Sequence, residues 1–117
     1  MNLRIEALAE ATYVIPEGRL DFAAAPGFQE AIEQVMGGAA RPPAVIIDGA
    51  ALEYVSSAGL RAVLLGARAA QRAGIPFALC ALQPAVREVF ELSGFTRIIT
   101  VQADRATALA QLHQGRP

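Results

Sequence analysis

The chain has 117 residues, of which 54% are hydrophobic, and this composition is sufficient for one folded domain with a buried core. Its formal net charge of −1 argues against a partner bound through bulk positive charge, such as a nucleic acid or an anionic membrane surface. No apolar run approaches the roughly 20 residues of a membrane-spanning helix, and the N-terminal stretch MNLRIEALAE lacks the pattern of a secretory signal. We therefore expect a cytoplasmic protein without direct membrane insertion.

The residues that most often carry catalytic or metal chemistry are scarce. Cys80 is the single cysteine, so no internal disulfide can form, and its place in the apolar run FALCAL favours a buried structural thiol over a reactive one. His113 is the single histidine and lies near the C-terminus. The usual zinc ligand sets are unavailable, and a Ser-His-Asp triad would need this terminal histidine. We expect no metal, no cofactor and no enzymatic activity.

Two strands are predicted at the start of the chain. Apolar residues alternate from Leu3 and Ile5 through Ala7 and Ala9, a period typical of a half-buried strand. Residues 12–20, TYVIPEGRL, form a second strand candidate with a Pro-Glu-Gly turn signal near its end. A hairpin between the two would turn near residues 10–11.

A helix is predicted next. Asp21 precedes a short alanine stretch, and Pro26 lies where a first helical turn could begin. Phe28 and Ile32 then fall on one helical face, and the glycines at 37–38 end the helix.

The middle of the chain predicts a buried strand followed by an amphipathic helix. The apolar run in PAVIIDGAAL, which ends at Asp48, is typical of a central strand covered on both faces. We interpret residues 53–59, EYVSSAG, as the connection from this strand to a helix that ends at Gly74. The apolar face of this helix holds Leu60, Val63, Leu64 and Ala67. Its polar face holds Arg61, Arg68, Gln71 and Arg72.

The last third repeats this alternation. IPFALCAL predicts a strand, Pro84 begins a helix that ends near residues 93–94, IITV predicts a short strand, and Asp104 caps a last helix. Residues 113–117 are expected to fray. Alternating strands and helices indicate one α/β domain over residues 1–117, with a mainly parallel, mixed sheet of about five strands and about four helices.

The adjacent serines Ser56 and Ser57 lie at the expected site of such a fold, beyond the carboxyl end of a central strand. Either serine can cap the following helix. A nucleophile elbow needs Gly-x-Ser-x-Gly, but Val55 stands where the first glycine would be. A phosphate-binding P-loop needs a Gly-Lys pair, and the chain contains no lysine. A phosphorylated serine is compatible with a helix start, since it meets unpaired N–H groups and the positive end of the helix dipole.

Four segments in order carry a family resemblance: GRLD at 18–21, VIID at 45–48, SSAGLR at 56–61 and PAVREVFELSGF at 84–95. Together they resemble a STAS domain and, more narrowly, the free-standing anti-sigma factor antagonists of bacteria. The resemblance covers nearly the whole chain and implies a regulatory binding protein. Such antagonists bind a serine kinase that is also the anti-sigma factor, leave it when phosphorylated, and are restored by a metal-dependent serine phosphatase.

The resemblance also implies which residues carry the function. It aligns Ser57 with the phosphoacceptor, with Ser56 as the alternative, whereas the family loop usually has aspartate at 56 and a hydroxyl residue at 58. Asp48 matches a family position as well, although a turn role after the strand explains it equally. The implied partner-binding residues are Asp21, Ser56, Ser57, Ala58, Gly59, Leu60 and Arg61.

Two other functions stay open at this stage. The same fold serves as a constitutive STAS subunit of a lipid-transporting ABC system, in which neither serine would be phosphorylated. A small nucleotide-binding protein or enzyme is the third alternative, and it is disfavoured because no base, metal set or phosphate loop accompanies the serines.

Overall fold

The computed structural model describes residues 1–114, which contain six strands and four α-helices. The strands are β1 (Asn2–Ala7), β2 (Thr12–Leu20), β3 (Val45–Asp48), β4 (Leu52–Val55), β5 (Phe77–Cys80) and β6 (Thr100–Gln102). The helices are α1 (Ala25–Gly37), α2 (Ser57–Ala73), α3 (Pro84–Leu92) and α4 (Arg105–Gln114). The predicted α/β class is confirmed.

The strands form one mixed, mainly parallel sheet in the order β1-β2-β3-β5-β6, with β4 paired to β2. β1 runs antiparallel to β2, and the chain turns between them through a hydrogen bond of 2.9 Å from the Leu8 N–H to the Ala11 carbonyl. The remaining pairs are parallel. All four residues of β3 are buried, as predicted for a central strand covered on both faces.

Strand β4 was not predicted, because the sequence pattern indicates only a connection over residues 53–59. Leu52 and Val55 are buried whereas Glu53 and Tyr54 are exposed, so this four-residue strand lacks the alternation by which short strands are recognised. Its partner is the second half of β2, where Gly18 pairs with Leu52 and Leu20 pairs with Val55. The first half of β2 pairs with β3, so β2 serves two parallel neighbours in succession.

The helices cover both faces of the sheet. α1, α2 and α3 bury residues such as Phe28, Val63 and Phe90 against one face, in a cluster that also contains Val14 and Ile47 of the sheet. α4 covers the other face, where its buried residue Ala108 lies in the cluster formed by Tyr13, Ile46, Ala78 and Cys80. This arrangement leaves the carboxyl ends of β2 and β4 next to the N-terminus of α2.

The predicted helix ends are confirmed. Gly74 has a left-handed backbone with φ of 70° and ends α2, and α3 begins at Pro84. The Asp104 carboxylate accepts a hydrogen bond from the Thr107 N–H at 2.7 Å, and hydrogen bonds from Thr107 lower the pKa of Asp104. Asp104 therefore caps the start of α4, as its position predicted.

One local prediction was wrong. Ile5 is 44% exposed because β1 is an edge strand with little cover, so the alternation there does not mark burial. The expectation that residues 113–117 fray stays a prediction: His113 and Gln114 are the last residues of α4, and residues 115–117 lie outside the described part of the chain.

Cys80 is fully buried, as predicted, and burial, reinforced by the negative charge of Asp48, raises the pKa of its thiol to about 12. Over residues 1–114, no helix combines the length and the hydropathy needed to cross a membrane. The same residues contain no group of three or more His, Cys, Asp or Glu side chains that could hold a metal ion.

Candidate functional site

The candidate site begins where β2 and β4 leave the sheet together. Leu20 and Val55 are register partners in this parallel pair, so the chain continues into Asp21 on one strand and Ser56 on the other at the same edge. The Ser56 N–H donates a hydrogen bond of 3.0 Å to the Leu20 carbonyl, which extends the pairing by one residue. The pairing of β4 with β2, which the sequence did not predict, therefore brings the Asp21 turn beside residues 56–59, which we call the serine loop.

Ser56 is the N-cap of α2. Its hydroxyl oxygen accepts a hydrogen bond from the Gly59 N–H at 3.1 Å, and its O–H donates to the Leu20 carbonyl at 3.3 Å. Its backbone carbonyl accepts the first helical bond, from the Leu60 N–H at 2.8 Å. An aspartate, which the family resemblance implies at this position, would accept the same bond from the Gly59 N–H but could not donate to the Leu20 carbonyl. The replacement thus keeps the cap and removes one negative charge.

Ser57 is the first residue of α2 and is exposed. Its hydroxyl makes no hydrogen bond to any residue between positions 1 and 114. The first N–H groups of a helix lack acceptors within the helix, and they create a positive partial charge beside this hydroxyl. The two serines therefore differ: the Ser56 hydroxyl is occupied by the cap, whereas the Ser57 hydroxyl is free and faces solvent.

Gly59 fixes the first turn of α2 closely against the sheet. A Cβ atom at this position would lie 2.4 Å from the Leu20 carbonyl oxygen and 2.9 Å from both Leu20 Cγ and Val55 Cγ2. Only glycine fits without movement of backbone, since the nearest atom belongs to the main chain of β2. The following residue, Leu60, is half-buried and packs against the core, whereas Arg61 is exposed.

Asp21 has a structural role in the turn before α1. Its carboxylate accepts a hydrogen bond from the Ala24 N–H at 3.0 Å, and its carbonyl accepts one from the Ala25 N–H at 3.0 Å. The Asp21 carboxylate therefore stabilises the turn that leads into α1, whose own N-cap is Ala24 without a side-chain cap bond, so Asp21 does not cap this helix directly as predicted. Its half-buried side chain also lies next to the serine loop, so the same residue can stabilise the turn and contribute to the surface of the site.

Phe22 is the residue of this site that sequence reasoning missed. It follows Asp21 and is 81% exposed, which is unusual for a phenylalanine. It borders a shallow groove of about 220 Å³ between the first turns of α1 and α2. The groove is lined by Phe22, Ala25, Pro26, Gln29, Ala58, Arg61 and Ala62. No local pattern distinguishes this phenylalanine from a core residue, because its exposure depends on how the two helices pack.

Small-molecule pockets usually enclose about 300–1,000 Å³, and this groove of about 220 Å³ lies below that range. Arg61 supplies the single charge on its lining. On the other side of the loop, the Arg19 guanidinium stacks over the Tyr54 ring at 4.0 Å. The surface around Ser57 thus combines an exposed aromatic ring, small apolar residues and a few separate charges.

Asp48, the other acidic residue that matches the family, lies away from the serine loop. Its carboxylate accepts hydrogen bonds from the Ala50 N–H at 3.0 Å and from Arg105 Nε at 2.8 Å. The turn role is confirmed, and the pairing with Arg105 was not foreseen. Arg105 also donates to Glu6 at 3.0 Å and stacks over the Tyr13 ring at 4.2 Å. We call these residues the Arg105 cluster: Glu6, Tyr13, Asp48 and Arg105.

The sheet, the helices and the position of the serine loop define a class of protein that comparison also identifies. The STAS domain model matches residues 2–108, and the chain belongs to this family. The family expectation drawn from the four sequence segments is confirmed.

Within this family, individual proteins that are similar to the chain include anti-sigma factor antagonists. BtrV of Bordetella bronchiseptica, a protein assigned as an anti-sigma factor antagonist, is 45% identical over 73 residues, which are 62% of this chain and 63% of BtrV. The match thus spans less than two thirds of BtrV. An anti-sigma factor antagonist from Mycobacterium paratuberculosis superposes with a TM-score of 0.85 at 25% identity, over 96% of this chain and 93% of that one.

A third structure, SpoIIAA of Bacillus in its phosphorylated form, shares the fold. It superposes with a TM-score of 0.70 at 21% identity, over 95% of this chain and 99% of that one.

Proposed function

We propose that this chain is a cytoplasmic anti-sigma factor antagonist that is controlled by phosphorylation of Ser57. In its unphosphorylated form it binds a serine kinase that acts as an anti-sigma factor, and the kinase then releases its sigma factor or other target. A metal-dependent serine phosphatase restores the bound state. The chain itself catalyses no reaction. The likeness to BtrV and to the Mycobacterium antagonist supports this function.

The observation that carries the proposal is the difference between the two hydroxyl groups. Phosphorylation of Ser56 would disturb the hydrogen bonds of its hydroxyl to Gly59 and Leu20, and would place a dianion on a half-buried side chain. Phosphorylation of Ser57 disturbs no hydrogen bond of the described structure and places the charge in solvent at the start of α2. The free hydroxyl therefore favours Ser57 as the acceptor.

In the phosphorylation step, the Ser57 oxygen attacks the γ-phosphorus of ATP held by the kinase. The hydroxyl proton leaves to a base of the kinase, and ADP departs with the electrons of the broken P–O bond. The product adds about 1.5 to 2 negative charges to a surface with an exposed aromatic ring. A partner that fits the unphosphorylated surface would have to desolvate this charge without a complementary group of its own facing it, so binding weakens while the fold persists.

The test is to incubate the protein with ATP and the serine-kinase anti-sigma factors of its source organism, and to locate phosphate by mass spectrometry. Phosphate is expected on Ser57, absent from Ser57→Ala and retained in Ser56→Asp, which keeps the cap. Phosphate on Ser56 alone would contradict the assignment. Co-purification with an ATPase and a permease, with neither serine modified, would instead support a constitutive transporter subunit.

A further inference from the structure

Arg61 is one of the arginines whose guanidinium group has no partner among residues 1–114. Within residues 1–114, Arg4, Arg87 and Arg105 form ion pairs with carboxylates. Arg19 stacks on Tyr54, and Arg41 donates to the Ala73 carbonyl. The arginines with no such partner in this part of the chain are Arg61, Arg68, Arg72 and Arg97. Of these four, Arg61 alone lies in the candidate site.

The position of Arg61 relative to Ser57 gives it a specific use. The two residues stand four positions apart on α2, and side chains at this spacing are neighbours on a helix surface. Both are exposed, so neither must leave a packed position to meet the other. A guanidinium presents paired N–H donors that match phosphate oxygens, and such charge-assisted bonds are stronger than those between neutral groups.

We propose that Arg61 is the phosphate-pairing residue of phosphorylated Ser57. The pairing turns the Arg61 side chain toward the start of α2 and so removes the one charge that lines the groove beside Phe22. Phosphorylation then changes the surface around Ser57 in two ways, because it adds a dianion and withdraws a cation from the groove. This inference rests on Ser57 being the modified residue, and it adds how the modified state is stabilised.

Other charges near the loop must be separated from the effect of Arg61. Asp21 lies on the turn before α1 and Glu53 lies on β4, and both would raise the pKa of a phosphate on Ser57. Arg19 is stacked on Tyr54 at the end of the same strand pair and would lower it. These groups are unchanged when Arg61 is substituted, so a comparison of variants isolates the contribution of Arg61.

The experiment is a titration followed by ³¹P NMR on protein with phosphoserine installed at position 57 during translation, which needs no kinase. The second pKa of phosphoserine is about 6, within the range in which the fold can be studied. R61Q should raise the phosphate pKa by about 0.2–0.4 unit, which is the shift that the loss of one exposed ion pair at this spacing produces. R61K should raise the phosphate pKa less than R61Q does, because lysine keeps the positive charge but lacks the paired N–H donors of the guanidinium group.

R68Q is the matched control, since it removes the same charge from the same helix. Arg68 is eleven positions from Ser57, or about 16 Å along the helix axis, beyond the screening distance at physiological salt. The phosphate in R68Q should titrate as in the parent protein. The inference is overturned if R61Q titrates like the parent, or if R68Q shifts the pKa as much as R61Q does. Failure of kinases to modify Ser57 would contradict the proposed function and leave this titration interpretable.

Discussion

At the scale of single residues, the two adjacent serines differ in structural role: Ser56 caps α2, whereas Ser57 is exposed. Ser56→Ala should lower the free energy of unfolding by about 1 kcal/mol, because α2 loses its N-cap. Ser56→Asp should restore most of this stability. Ser57→Ala should stay within about 0.5 kcal/mol of the parent, since the Ser57 hydroxyl bonds to nothing between residues 1 and 114. Urea denaturation measures the free energy of unfolding of all three variants. An equal loss of stability in both alanine variants would contradict the different roles of the two serines.

Gly59 offers a second residue-scale prediction. Gly59→Ala should destabilise the fold by about 1–3 kcal/mol, because the added Cβ would meet the Leu20 carbonyl oxygen at 2.4 Å. Gly27→Ala is the matched control, since Gly27 also lies in a helix but has nothing within 4 Å of the added Cβ. The control should be neutral or more stable by up to about 1 kcal/mol. Equal unfolding midpoints for the two variants would show that the close contact is absent.

Cys80 makes stability depend on alkaline pH. Burial raises the pKa of its thiol to about 12, so the folded protein keeps this proton while an unfolded chain loses it near pH 9. The thiol's contribution to stability is therefore complete below pH 9 and is lost as the pH rises from 9 toward 12. Denaturation at several pH values should show a smaller alkaline loss for Cys80→Ala than for the parent. Identical slopes would contradict the buried thiol.

At the scale of elements, the Arg105 cluster attaches α4 to β1 and β3. The side chains of Arg105 and Asp48 are 35% and 13% exposed, so the pair lies between a surface ion pair and a buried one. Burial alone would lower the pKa of Arg105, but its hydrogen bonds to Asp48 and Glu6 outweigh burial and raise it. The cluster holds the last helix of the described structure against its face of the sheet.

Arg105→Ala should therefore lower the free energy of unfolding by about 1–3 kcal/mol, because Asp48 would lose its counter-charge in a largely buried position. Arg87→Ala is the comparison, since it removes an exposed pair with Glu91 on α3 and should cost less than about 0.5 kcal/mol. Thermal and urea unfolding measure both. A loss for Arg105→Ala no larger than that for Arg87→Ala would contradict this role of the cluster.

The elements also show what local sequence patterns can and cannot reveal. Gly74, Pro84 and Asp104 mark helix ends through conformation and hydrogen bonding within a few residues, and such signals are present in the sequence itself. β4 escaped prediction because its four residues become a strand only through pairing with the distant second half of β2. The pairing of Arg105 with Asp48 spans 57 positions and escaped for the same reason.

At the scale of the whole molecule, the α/β class followed from alternating strands and helices, and the family from four segments in order. The two serines begin α2 as predicted, but they follow β4 and not the central strand β3. The residues exposed at the candidate site could not be predicted from these patterns. Phe22 is exposed because α1 and α2 leave a groove between their first turns, and this depends on helix packing that no local pattern encodes. The separate roles of Ser56 and Ser57 likewise required the Leu20 carbonyl, which β2 supplies from 36 positions away.

In the proposed function the protein changes its affinity for one partner when it is phosphorylated, so the most direct measurement is that affinity in both states. Isothermal titration should compare the unmodified protein with protein carrying phosphoserine at position 57, each against the kinase that modifies Ser57. We predict binding weaker by about 100-fold on phosphorylation, or about 2.7 kcal/mol, because a dianion enters the contact surface. Dissociation constants that agree within about twofold would contradict control of this protein by phosphorylation of Ser57.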